Sequence, residues 1–424
     1  MTMKRLIIII CAIGALCACS GKAEKDGKQI FTPKELAENG GFDNPENNYS
    51  YARSQQSDNL IVFWEKGFGD DPATAPKYKE FDMTVDIPDL IRQSEGFYGF
   101  FRDSLKFIQK GSNADKYKMM VMLNYSDEGT AYGGDYDMTI GALWVTPLRT
   151  KDKRLNAIAH ELGHSFQSQL CIDNKGGFDG GGIFEMTSQW MLWQVNPLWM
   201  DDETYHWDAF MKQTHLAFMH PENMYHSPYV LEYWSGKRGK DFIADLWRSA
   251  KSRHDVVEVY KDFTNQTQAQ FNDEMYDACA HFINYDLPRV KEVAAKYANR
   301  HSCELDAADA EGWCRIAESR TPQQYGYNAI QLTAPKAGET VSVDFKGLSE
   351  DAAAGWRYGL VGTKESGEIV YGDMHSEKEG KVSLTADEPY SYLWLVVMAA
   401  PTENQQLREE QAADYKEFPY AIKM

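Results

Sequence analysis

The chain has 424 residues, 43% of them hydrophobic and 13% aromatic, so it can bury more than one core and is too apolar to be a disordered polymer. No basic run offsets its formal charge of −19, which argues against nucleic acid as a partner because such a surface repels a phosphate backbone.

Lys4 and Arg5 precede an apolar run, Leu6 to Leu16, that is too short to span a bilayer and has the pattern of an export signal. Its end, "LCAC" followed by "SGK", resembles a bacterial lipoprotein signal. The resemblance implies that residues 1–19 are signal, that Cys19 after the small Ala18 carries the lipid, and that the protein is an outer-membrane lipoprotein of the cell envelope, periplasmic or surface-exposed. Residues 20–50, rich in Lys, Glu, Gly and Asn, read as a flexible tether. Four cysteines remain beyond the signal, and an exported chain permits disulfides. Cys303 with Cys314, closing a short loop, is the favoured pair, and Cys171 with Cys279 the second.

"NLIVFWEK" (59–66) and "KMMVMLNY" (118–125) are bounded apolar runs of strand length, and the segment from Ile87 between them has helical spacing with Pro88 near its start. The glycine- and aspartate-rich "DEGTAYGGDYD" reads as a solvated loop, followed by a further strand, "MTIGALWV" (138–145). From Ile183 to Arg300 the pattern is almost wholly helical. Beyond "ESRTPQQYGYN", short β-type runs with regular turns predict a small antiparallel sandwich. The expected fold is therefore an α+β domain over 51–320, with a mixed sheet and a helical half, and an all-β sandwich over 325–424. Trp356, Tyr358, Tyr371 and Trp394 either fill the core of that sandwich or offer carbohydrate a stacking surface.

The chemistry concentrates in "LNAIAHELGHSFQSQL" (155–170). Residues four apart lie on one helix face, so His160 and His164 can present two nitrogens to one ion, with Glu161 to the side where it can reach a bound water. Zinc lowers the pKa of such a water to about 7, and the neighbouring carboxylate can take its proton. The flanking residues are uncharged, so the helix is buried, and Gly163 implies that something packs closely against it.

"HELGH" with these flanks resembles the active-site helix of zincin metallopeptidases. That resemblance implies a single Zn2+, Glu161 as general base, and a strand before the helix that pairs with substrate backbone, for which Gly141, Ala142 and Leu143 are the candidates. A third ligand is then needed. The metzincin pattern requires a glycine and a histidine where Gln167 and Leu170 stand, so it is excluded. The gluzincin pattern takes a glutamate from the next helix: after the turn "CIDNKGGFDGGG", Glu185 lies in the first turn of "IFEMTSQWMLWQ", with Asp179 as the rival. Thermolysin-type gluzincins carry an aspartate four residues after that glutamate to orient a histidine. Here the place holds Gln189, so a different group is expected to do this. The combination with "FEMT" also resembles enhancin-like, mucin-directed peptidases and related bacterial lipoproteins, although the asparagine expected soon after the glutamate is missing.

For the oxyanion donor, "MYHSPYVLEYW" offers Tyr225, His226, Tyr229 and Tyr233, and "YHWDAF" offers His206. Tyr229 and His226 are the leading candidates. The expected function is a lipid-anchored zinc metallopeptidase acting on extracellular proteins or glycoproteins. The alternative is a non-catalytic lipoprotein that binds glycan or protein on a zincin scaffold.

Overall fold

The structure is a computed structural model that describes residues 27–424, so the expected lipoprotein signal and Cys19 lie outside the described residues. Five strands form a first sheet: β1 (Ser54–Gln56), β2 (Leu60–Trp64), β3 (Met119–Leu123), β4 (Ala131–Tyr136) and β5 (Ile140–Val145). Their order is β1-β2-β3-β5-β4, with β2, β3 and β5 parallel and both edge strands antiparallel. The parallel strands are uninterrupted apolar runs because both of their faces are covered.

Helices in chain order are α1 (Ile87–Asp103), α2 (Asn113–Lys116), α3 (Asn156–Asn174), α4 (Ile183–Val195), α5 (Trp199–Asp202), α6 (Thr204–Gln213), α7 (Tyr229–Arg238), α8 (Phe242–Ala250), α9 (Val256–Thr264), α10 (Gln268–Phe282) and α11 (Lys291–Ala294). Asp86 caps α1 by accepting from the Asp89 N–H, and Tyr98 and Phe101 of that helix meet Phe166 of α3 edge-on. The α3 helix starts where Asp152 accepts from the Asn156 N–H, and it buries Ile158, Ala159, Leu162, Phe166 and Leu170. On the far side of α4, the buried Glu232 of α7 accepts from Trp190 Nε1 and from two nitrogens of Arg289, which fixes where α4 lies.

Two four-stranded antiparallel sheets complete the chain. One runs β10 (Ile369–Tyr371), β9 (Trp356–Lys364), β12 (Tyr390–Ala399), β7 (Tyr327–Leu332). The other runs β11 (Glu379–Thr385), β8 (Thr340–Gly347), β13 (Tyr420–Lys423), β6 (Cys314–Arg315). The sandwich thus draws in β6, which precedes its expected start at Tyr325. Along β12, Leu393, Leu395, Val397 and Ala399 enter the core between the sheets, while Trp394, Val396 and Met398 join the core of the helical half. The period-two alternation of a strand therefore serves two cores at once.

Two expectations need correction. Residues 27–50 do not behave as a tether: Phe42 is buried and stacks on Phe63 at 4.1 Å, and the Gln29 N–H donates to the Lys116 carbonyl. All four described cysteines are free thiols. Leu305 pairs with Ile316, so Cys303 and Cys314 fall on opposite sides of that bridge, four rungs apart. That is about 13 Å along the strands, against a Cα limit of about 7 Å for a disulfide. Of the two readings of the sandwich aromatics, the core one holds for most: Trp356, Tyr358 and Trp394 are buried and Tyr371 is exposed. No helix among the described residues is long and apolar enough to cross a membrane.

Two consequences are measurable. Replacing Phe42 by alanine should cost about 3 kcal/mol, read as a lowered urea midpoint, whereas a tether residue would cost nothing. His301 is buried beside Tyr327 and Trp394, and burial pushes its pKa down to about 3 from an ordinary 6.5. The unfolded chain then takes the proton more readily than the folded one. This histidine's contribution to stability is intact above pH 6.5 and is lost as pH falls from there toward 3, at up to about 1.4 kcal/mol per pH unit. His301→Gln should make the measured decline between pH 6 and 4 shallower by about that slope.

Candidate metal centre

The α3 and α4 helices pack directly against each other at Gly163, where there is no room for a side chain. A β-carbon there would lie 2.6 Å from Ser188 Oγ, which itself donates to the His160 carbonyl oxygen at 2.8 Å. At this contact His160 Nε2 and His164 Nε2 are 3.1 Å apart, and Glu185 Oε2 lies 3.1 Å from the first and 3.2 Å from the second. Glu161 belongs to the same cluster, its carboxylate within 4.8 Å of both histidine donor atoms. Asp179 is not part of it and turns toward Arg408 at 3.6 Å.

Two buried glutamines set the imidazole tautomers. Gln189 Nε2 donates to the Tyr225 carbonyl oxygen at 3.0 Å, so its Oε1 faces His160 Nδ1 at 2.8 Å, and that nitrogen carries the proton. Gln167 Nε2 donates to the Phe184 carbonyl oxygen at 2.9 Å, so its Oε1 faces His164 Nδ1 at 3.1 Å with the same result. Both Nε2 lone pairs therefore point at each other and at Glu185. Gln189 thus performs the orienting role that the sequence reading gave to some other group.

The donor set fits a cation. Tetrahedral zinc with bonds of about 2.0 Å spaces its donors about 3.3 Å apart, close to the separations here. Two neutral imidazoles and a carboxylate are a common zinc set. Burial tends to raise the Glu185 pKa, but the two adjacent histidines outweigh it and hold the carboxyl well below its usual range. Burial works against charge on His160 as well, and there Glu185 prevails and raises the pKa.

The cluster lies in a cleft of about 570 Å³ lined on one side by Ala131, Tyr132 and Gly133. The strand bordering this cleft is β4, not β5. Gly141, Ala142 and Leu143 lie on an interior strand: Ala142 and Leu143 pair with both β3 and β4, and Gly141 pairs with β4. They are also tied to α3: the Gly141 N–H donates to Gln169 Oε1, and Ala142 O accepts from Ser165 Oγ. The stretch read as a loop is the true edge strand. A β-carbon on Gly133 would overlap the Glu161 carbonyl oxygen and approach His164 Cβ to 2.7 Å, so only glycine lets this strand pass so close to the helix.

Of the expected oxyanion donors, Tyr229 is fully buried among Trp193, Phe210 and Tyr285, outside the cleft, because the first turn of α7 faces the core. His226 is also outside it, its Nδ1 2.6 Å from His206 Nδ1, and Tyr233 bonds Asp277. Tyr225 and His206 do line the cleft. The Tyr225 ring lies over His160 at 6.4 Å, and burial brings the His206 pKa down to about 3, which keeps it neutral. Arg149, Glu203 and Tyr205 complete the rim and carried no recognisable motif.

The fold and site define a mixed α+β chain with an HELGH helix facing a glutamate from the next helix. The chain belongs to a family of unknown function (DUF6055), whose sequence model matches residues 22–424. No curated protein matches it. Among solved structures, it is similar to the ZmpB metallopeptidase from Clostridium perfringens at 15% identity and a TM-score of 0.31, over 85% of this chain and 68% of that one. It is also similar to the CBM22-1 xylan-binding domain from Paenibacillus barcinonensis Xyn10C at 14% identity and a TM-score of 0.18, over 29% of this chain and 76% of that one. Both superpositions are too loose to bear on function.

Gln189→Leu should weaken zinc affinity about 10- to 100-fold by removing the acceptor for His160 Nδ1, measured by competition with a chelating dye. Unchanged affinity would mean that the glutamine does not orient this ring.

Proposed function

We propose that the chain is a zinc-dependent metallopeptidase that hydrolyses peptide bonds in extracellular proteins or glycoproteins, anchored to the outer membrane through Cys19. The observation that carries this reading is the triangle of His160, His164 and Glu185 donor atoms with Glu161 beside it, at the floor of a cleft bordered by an edge strand. His160, His164 and Glu185 would hold a zinc ion, which would supply a Lewis acid for the substrate carbonyl and make the attacking water more acidic.

The chain's own groups supply the rest. The unpaired side of β4 binds an extended substrate by main-chain hydrogen bonds and lays it past Glu161. Glu161 accepts a proton from the attacking water and later delivers it to the leaving amine. Tyr225, next to His160 in the cleft, donates a hydrogen bond to the carbonyl oxygen as negative charge builds on it. Gln189 and Gln167 hold a proton on each Nδ1 and keep both Nε2 atoms aimed inward throughout.

Protein purified in the presence of zinc should carry about one equivalent per chain, and His160→Ala should lose it. Glu161→Gln should keep the metal and lower cleavage of casein and mucin-type glycoprotein by about a hundredfold or more. Identical product patterns from wild type and Glu161→Gln would overturn the proposal.

A further inference from the structure

We infer that Arg149 selects substrates that carry a carboxylate, so that cleavage falls near an acidic side chain or a free carboxyl terminus. This inference rests on the peptidase reading of the cleft and adds a substrate class to it. Arg149 follows β5 and is the only lysine or arginine among the described residues that line the cleft. Its backbone N–H donates to the Thr146 carbonyl, and its Nε donates to the Gly129 carbonyl at 2.7 Å, so the guanidinium is held by its inner edge.

The two outer nitrogens make no hydrogen bond or ion pair among the described residues. In a protein with 63 acidic and 44 basic residues, nearby carboxylates could have neutralised them, but those in the cleft are committed elsewhere. Glu185 faces the two histidines with Glu161 grouped beside them, and Glu203 accepts from Asn156 Nδ2 and Trp199 Nε1. What remains is a planar pair of N–H donors, anchored from behind and open to the cleft, which matches the two oxygens of a carboxylate.

Position sets the register. Gly129 precedes Gly133 by four residues, about 13 Å along an extended strand, and Gly133 abuts Glu161 and His164. A substrate strand laid along β4 would therefore bring its carboxylate to Arg149 about two to four residues from the bond being cut. Both sources of that group, an acidic side chain and the chain terminus, present the same chemistry.

The test uses the full chain as the zinc-loaded Glu161→Gln variant, with binding of fluorescein-labelled decapeptides of Ala, Ser and Thr followed by anisotropy. One set is amidated and carries a single Glu at successive positions, one peptide has a free carboxyl terminus, and the reference is neutral and amidated. At least one carboxylate peptide should bind about tenfold tighter than the reference, and which one does so identifies the source. That ratio should fall to about one in Arg149→Gln and be partly kept in Arg149→Lys. Equal binding of all peptides, or a preference that survives Arg149→Gln, overturns the inference. Cleavage of the same peptides by the wild-type protein separates the two readings. No cleavage, with the binding preference present, overturns the peptidase proposal alone. Cleavage without an acidic preference overturns the role of Arg149 alone.

Discussion

Three electron-rich atoms held 3.1–3.2 Å apart in a largely buried position are the constraint on which the rest of this structure depends. Two imidazole lone pairs and a carboxylate oxygen repel one another at that range unless positive charge lies among them. The arrangement persists because each imidazole is gripped on its other nitrogen by a glutamine, and each glutamine is fixed in turn by a backbone carbonyl. Neither glutamine can turn without leaving a buried polar group unpaired, so the lone pairs cannot rotate away cheaply.

The helical half serves that geometry. α3 and α4 meet at the bare backbone of Gly163, and the buried Glu232–Arg289 pair holds α4 from behind. On the other side, Gly133 lets the edge strand pass against the helix, so the unpaired backbone of β4 and the Glu161 carboxylate face the same cleft. A polypeptide bound as an added strand would be delivered to the reactive group by main-chain bonds, with side chains left to rim residues such as Arg149, Tyr205 and Tyr132. The sandwich contributes by packing: alternate residues of β12 belong to its own core and to the core beneath the helices, so the two parts brace each other.

Much of the fold was legible because its signals are local. Continuous apolar runs marked the parallel strands, helical spacing marked α1 and the helices from Ile183 onward, and short regular runs marked the C-terminal sheets. The failures were non-local. "AYGGDY" carries turn-forming residues and reads as a loop; its glycines answer to a neighbouring helix, which no window of sequence contains. Phe42 sits in a polar stretch that resembles a tether, and its partner Phe63 is 21 residues away. The spacing of Cys303 and Cys314 suited a disulfide, but the register of their hairpin separates them.

By itself, the sequence determined that His160 and His164 share a helix face with Glu161 beside them, since four residues make one turn whatever surrounds the helix. It also pointed across a glycine-rich turn to Glu185. Only the tertiary structure decided that β4 rather than β5 borders the cleft, that Tyr229 is core while Tyr225 faces the site, and that Gln167 and Gln189 set the tautomers. The reason is that strand order, burial and amide orientation depend on contacts between segments far apart in the chain, and a periodicity cannot encode which segment will be next to it.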